Sequence, residues 1–225
     1  MDPGKVKNLT GAASITKRGA RFMGMEITPL GIEGAWLITP KQHGDSRGLF
    51  LEWFKEPVFT EAVGHPLKLA QANCSVSTRG TVRGIHYADV PPSQAKYVTC
   101  VSGAVVDVIV DIRVGSPTFG QWETVVLDTV DRRAVYLSEG LGHGFAALED
   151  GSTVVYLCSE GYNPSAEREI YPFDPAIGIN WPFSLGECSL SAKDDAAPSL
   201  AEAQGQGLLP SYQDAVNYRR SLTGK

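Results

Sequence analysis

No apolar run in the 225 residues approaches the roughly 18 needed for a membrane helix, so a helical membrane span is excluded. There are four cysteines, Cys74, Cys100, Cys158 and Cys188, far apart and with no C-x-x-C pair. That spacing supports neither a disulfide framework nor a cysteine zinc site, and all four read as reduced, buried small hydrophobes. The chain has no P-loop, no G-x-G-x-x-G after a strand and no G-x-S-x-G, which excludes the common triphosphate, dinucleotide and serine-nucleophile sites. Long helices alternating with strands are missing too, so a doubly wound α/β sheet is excluded. The formal net charge is −5, which argues against a nucleic-acid partner. With no secretory signal and scattered thiols, the expected location is the cytoplasm.

Basic residues do cluster at one end. Residues 1–22 hold Lys5, Lys7, Lys17, Arg18 and Arg21 against Asp2 alone, and Met23 and Met25 follow. The segment reads as a leader outside the fold, ahead of a start at one of these methionines. The expected organisation is therefore a leader (1–22), one β-domain (23–198) and a helical tail packed on it (199–225).

What the sequence does have is short strands with turn signals between them. The 24 glycines and 14 prolines suit a turn-rich chain. Ala104 to Arg113 (AVVDVIVDIR) is the clearest strand, with Val106, Val108, Val110 and Ile112 on one face and Val105, Asp107, Ile109 and Asp111 on the other. Gly48 to Phe54 (GLFLEWF) is apolar on both sides except for Glu52, which predicts a buried strand in which Glu52 needs a partner or ligand. Lys41 to Arg47 reads as a polar loop and Pro57 to Val63 as a short helix. In the strand from Leu67 to Ser77, Gln71, Asn73, Ser75 and Ser77 recur at period two, as either a solvated outer face or a polar barrel interior. About nine or ten such strands predict an all-β sandwich or jelly-roll barrel. Ala201 to Leu209 and Gln213 to Leu222 read as helices outside it.

Usable chemistry concentrates in Thr81 to Lys96 (TVRGIHYADVPPSQAK), where Arg83, His86 and Lys96 lie close together. Metal-binding cupin barrels use H-x-H with a downstream Glu and a further His. Here His86 is followed by Tyr87 and Ala88, and only His43, His65 and His143 remain, so a metal site is poorly supported. Metal-free acid–base chemistry is left. His86 is the natural base, Lys96 can hold a developing negative charge and Arg83 a phosphate. Asp174 is either the carboxylate that orients His86 or a turn residue before Pro175. Tyr156 is either an acid on the opposite side or a core residue.

The motifs R-G-x-H (83–86), Q-x-K (94–96), S-P-T-F-G (116–120) and E-G-x-x-H-G-F (139–145) occur in that order. With GDSRGLFLEWF (44–54), LAQANCSVS (69–77), VVYLCSEGYNPSAE (154–167) and FDPAIGINWP (173–182), they make the chain resemble the dTDP-4-dehydrorhamnose 3,5-epimerase family. The resemblance implies a cupin-type jelly-roll homodimer in which an N-terminal segment of one subunit joins the sheet or site of the other. It implies a dTDP-linked 4-keto-6-deoxyhexose substrate, epimerised at C3 and/or C5 without metal or other cofactor. By the same resemblance His86 is the base, Asp174 its orienting carboxylate, Tyr156 the acid and Lys96 the stabiliser of the enolate oxygen. Arg47, Arg83 and His143 match positions for the diphosphate or sugar, and Glu52, Gln71 and Asn73 match positions near the nucleotide. LAEAQGQGLLPSYQDA (200–215) is most similar to the antibiotic-sugar branch. Two rival classes are a metal-dependent cupin oxygenase or isomerase, which chelation would inactivate, and a non-catalytic sugar-nucleotide binder, which would lack the acid, base or carboxylate.

Overall fold

The computed structural model describes residues 20–22 and 24–223. Most of the expected leader, residues 1–19, lies outside them. Residues 20–22 are described, and they form a strand in the main sheet.

Two antiparallel sheets make the barrel. The larger contains β1 (Ala20–Phe22), β2 (Met25–Pro29), β3 (Ala35–Pro40), β6 (Gln71–Ser77), β8 (Lys96–Ser102), β11 (Ala134–Leu137) and β13 (Ser152–Cys158), in the order β1-β2-β3-β11-β8-β13-β6. The smaller contains β7 (Val82–Ala88), β9 (Ala104–Val110), β10 (Trp122–Asp128), β12 (Gly142–Ala147) and β14 (Glu167–Glu169), in the order β10-β9-β12-β7-β14. β4 (Gln42–Asp45) and β5 (Gly48–Leu51) form a separate hairpin. The polar stretch expected as a loop is thus a strand. The short, polar β14 escapes the hydrophobic pattern because it is an edge.

The alternation in β9 decides how the layers stack. Val105 and Ile109 join Val98, Cys100, Phe145 and Val154 in the core between the sheets. Val108 and Val110, on the other face, are covered by the C-terminal segment through Ile170, Trp181, Leu200 and Ala203. Fully burying one such side chain is worth about 1.5–3 kcal/mol. On the far side, α1 (Glu56–Val63) seals the larger sheet by setting Phe59 against Tyr97 and Tyr136. α1 has Pro57 in its first turn and ends on Gly64, whose φ of 97° is the left-handed conformation glycine adopts at low cost.

The smaller sheet's cover includes α2 (Ala192–Asp195) and α3 (Leu200–Gly205), while α4 (Tyr212–Leu222) packs at the end of the barrel against Gly140 and the Glu33–Gly34 turn. Past the end of β9 the fully buried Arg113 and Asp111 pair at 2.8 Å. Asp111 also accepts from the hydroxyls of Ser116 and Thr118, which accounts for the S-P-T turn. The Arg113 guanidinium lies 5.1 Å from the Tyr212 ring and so ties α4 to the barrel.

Two expectations fail. The segment Gly48 to Phe54 is not buried: Phe50 is 67% exposed, and Leu49 and Trp53 are exposed as well. Among the cysteines only Cys100 and Cys158 are buried, while Cys74 is exposed on the edge strand β6.

Candidate active site

One cavity of about 210 Å³ opens between the two sheets, lined by side chains from both. The larger sheet supplies Gln71 and Asn73 from β6, Lys96 from β8, and Tyr156 and Cys158 from β13. The smaller supplies Arg83 and His86 from β7, His143 and Phe145 from β12, and Glu167 from β14. The period-two face of β6 is therefore a polar interior. Gln71 donates to Asn73 Oδ1 at 2.7 Å, and Ser75 shares a 3.2 Å hydrogen bond with the Tyr156 hydroxyl.

Arg83 and His86 are three residues apart, yet both reach the cavity, which strict alternation forbids. The pairing of β12 with β7 shifts register between His143 and Phe145. At that point Gly84 has φ 120°, and a Cβ on it would stand 2.6 Å from Gly144 Cα. Two glycines thus let the backbones close up at an irregularity that redirects side chains into the cavity.

The His86 imidazole donates from Nε2 to Asp194 Oδ1 at 2.7 Å. That bond fixes the tautomer and leaves the Nδ1 lone pair on a ring that lines the cavity. Asp194 is almost fully enclosed. Burial works to raise its pKa, but the bonds from His86, Ser191 and the Gly84 N–H outweigh it and hold the carboxylate below its usual range. His143 repeats the arrangement, its Nε2 2.8 Å from the buried Asp107 Oδ2.

Asp174 does not fill the expected role. Its buried carboxylate accepts from Ala176 N at 2.9 Å and from Leu200 N at 2.7 Å. It closes the D-P turn and pins the start of α3. Asp194 is the carboxylate on His86, at a separation of 108 residues. In sequence it is one of two adjacent aspartates in a polar S-A-K-D-D run, with no feature to set it apart from Asp195. The one available signal is its position three residues after the helix cap Ser191, whose side chain accepts from its N–H.

Burial shapes the other groups. It pushes the Lys96 ammonium down, against Glu167, Cys158 and Asp107, which favour its charge. It pushes the Tyr156 phenol well up, so that the hydroxyl keeps its proton at neutral pH. Arg83 Nε donates to Ser77 at 3.1 Å and the guanidinium faces the mouth. Glu167 and Asp107 were not singled out by the sequence reading.

Arg47 and Glu52 do not reach this cavity in their own chain. Arg47 is bound to Asp45, and Glu52 pairs with Lys55 at 3.1 Å, all on the exposed hairpin and its flank. Among the described residues no three His, Cys, Asp or Glu side chains are grouped to hold a metal ion, and no helix is long and apolar enough to cross a membrane.

Comparison with known proteins identifies relatives of the chain. A curated dTDP-4-dehydrorhamnose 3,5-epimerase of Mycolicibacterium smegmatis is 59% identical over 198 residues, covering 88% of this chain and 97% of that one. A dTDP-4-dehydrorhamnose 3-epimerase of Streptomyces niveus is 60% identical over 188 residues, covering 84% and 90%. A 3'-monoepimerase from Streptomyces bikiniensis, solved with dTDP-quinovose, superposes with a TM-score of 0.85 at 50% identity, covering 88% and 99% of the two chains. The family's sequence model matches residues 29–202, which takes in the smaller sheet, the larger sheet from β3 onward, the cavity, and the His86–Asp194 pair, and the chain therefore belongs to the dTDP-4-dehydrorhamnose 3,5-epimerase family.

Proposed function

We propose that this protein epimerises a dTDP-linked 4-keto-6-deoxyhexose at C3, C5 or both, in deoxysugar biosynthesis of the antibiotic type. The observation that carries this reading is the placement of a tautomer-fixed histidine and a protonated tyrosine on facing sheets of one cavity, with Lys96 in the same cavity.

The 4-keto group acidifies the hydrogens on C3 and C5. His86 Nδ1 takes one of them, and Asp194 stabilises the imidazolium that results. The electron pair left on carbon moves onto O4, and Lys96 holds the enolate oxygen. Such a preorganised donor typically contributes roughly 2.7–4 kcal/mol of barrier lowering. Tyr156, on the opposite wall, returns a proton to the other face of the carbon and inverts it. No cofactor enters these steps.

Incubating the enzyme with dTDP-4-keto-6-deoxyglucose in D₂O and locating deuterium by NMR tests the reading. Deuterium at C3 and C5 with both centres inverted defines a 3,5-epimerase. Label at one carbon defines a monoepimerase, and no label anywhere rules out this substrate. Tyr156→Phe is expected to slow inversion by about 10²-fold or more while sparing much of the exchange, because His86 still removes the proton. Equal loss of both would remove Tyr156 from the role of acid.

The functional unit in this proposal is a homodimer. A cavity of about 210 Å³ is smaller than the roughly 300–1,000 Å³ typical for drug-sized ligands, so a nucleotide-linked sugar extends past its mouth. β6, an edge strand of the larger sheet, borders that mouth with an open hydrogen-bonding edge. The β4–β5 hairpin of a second subunit, with exposed Leu49 and Phe50 and with Arg47 and Glu52, suits strand addition there. Phe50→Asp is expected to yield monomers in analytical ultracentrifugation and to raise KM. An unchanged dimer would place the interface elsewhere.

A further inference from the structure

Glu139 is a buried carboxyl that the chemistry above does not use. It is 3% exposed, just past the end of β11. Its Oε1 accepts from Ser159 Oγ at 3.3 Å, and its Oε2 has no hydrogen-bond partner among the described residues. Ser159 Oγ in turn accepts from Ala95 N at 2.8 Å, and Ser159 N donates to Ala95 O at 3.0 Å. Ala95 directly precedes Lys96.

These bonds sit where three strands finish together. Lys96 is aligned with Leu137 of β11 on one side and with Cys158 of β13 on the other. Just outside that rung Ala95 and Ser159 are joined backbone to side chain, and Glu139, two residues past Leu137, meets the Ser159 hydroxyl side chain to side chain. Beyond them the chain from β7 passes through Pro91, Pro92 and Ser93, and Ser93 accepts from Gly140 N next to Glu139. The ladder of β8 holds Lys96 from its C-terminal side, and on the N-terminal side the Ala95–Ser159 clasp is the nearest fixed point, with Gln94 Nε2 donating to Glu160 O at 2.8 Å beyond it. The lysine ammonium stands at the end of a long side chain, so a small rotation at this point is amplified at the enolate oxygen.

We infer that Glu139 is a positioning residue for Lys96, acting through Ser159 and the Ala95 N–H to fix where β8 delivers the ammonium into the cavity. The inference rests on the role given to Lys96 above. Burial raises the Glu139 pKa, against its own N–H, Ser159 and Arg219, and Glu160 raises it further. Tyr136 on the preceding strand β11 and Tyr218 on α4 also face it. Oε1 supplies the acceptor for Ser159, and an amide in its place keeps that acceptor.

The test is a double-mutant cycle on the full-length enzyme. Glu139→Ala is expected to lower kcat about tenfold or more, since displacing a catalytic group by an ångström can cost about 10²-fold. dTDP affinity by calorimetry should stay unchanged. Glu139→Gln, which keeps an acceptor for Ser159, should restore most of kcat. In a Lys96→Met background, Glu139→Ala should leave the residual turnover unchanged, because the group it positions is gone. Ser159→Ala removes the same link with a smaller void and should reproduce the kcat loss if Glu139→Ala folds poorly. An equal loss in both backgrounds, or a Gln variant as impaired as Ala, would overturn the inference. Full turnover in Lys96→Met alone would instead remove the role given to Lys96, and with it the ground for this inference.

Discussion

Replacing His86 with alanine is expected to lower turnover by about 10²–10⁴-fold, the usual worth of a positioned general base, while leaving dTDP binding intact. Turnover and binding separate because His86 lies in the smaller sheet beside Asp194, whereas the groups assigned to the nucleotide, Gln71 and Asn73, lie on β6 across the cavity. Deuterium incorporation at C3 and C5 should fall with turnover, since no other described imidazole in the cavity has the same task. His143 also lines the cavity with its Nε2 on an aspartate, but its side chain is only 4% exposed, against 36% for His86, and its ring stands edge-on to Tyr156 at 6.2 Å. Calorimetry with dTDP measures the binding half. A variant that loses dTDP affinity in parallel with turnover would make His86 a structural residue.

The second large effect separates two aspartates. Asp194→Asn should cost up to roughly 10⁴-fold in kcat, as expected when a catalytic imidazole loses the carboxylate that sets its tautomer. The amide can offer His86 an NH₂ group in place of an acceptor, which favours the tautomer with its lone pair on the wrong nitrogen. Asp174→Asn should leave kcat within about threefold and destabilise the fold by about 1–3 kcal/mol, because one of two buried N–H groups loses its acceptor. Steady-state kinetics and urea unfolding of both variants decide the matter. A kcat loss confined to Asp174→Asn would restore it as the orienting carboxylate. The pH dependence of stability gives an independent check. The folded pKa of Asp194 is depressed, so its contribution is present above the unfolded value near 3.8 and disappears as pH falls through the lower folded value. Wild type should therefore lose more stability than Asp194→Asn on going from neutral to acid conditions.

The contrast between these aspartates shows what a linear reading can reach. The faces of β9, the period-two polar face of β6 and the helix over Pro57 to Val63 follow from local periodicity, although periodicity alone left open whether the β6 face points outward or into the barrel. His86, Lys96 and Tyr156 stand on strands whose alternation directs them into one cavity. Asp194 was not legible because its role depends on docking a polar four-residue helix against β7, and nothing in S-A-K-D-D encodes that contact. Asp174 misled because a buried D-P pair looks the same whether it serves a histidine or two backbone amides. The segment Gly48 to Phe54 misled differently. Its apolar pattern calls for burial, and the single chain does not supply it.

The division of the His86–Asp194 pair between barrel and outer layer has a consequence for how activity and foldedness are related. The histidine is built into the smaller sheet, but its carboxylate arrives with a segment that runs over the outside of that sheet. A barrel with that covering segment detached would keep its cavity and Lys96 yet leave the imidazole without a fixed tautomer. Under the proposed mechanism, turnover is expected to report on the docking of the last quarter of the chain, and to be a stricter gauge of the native state than the integrity of the barrel itself.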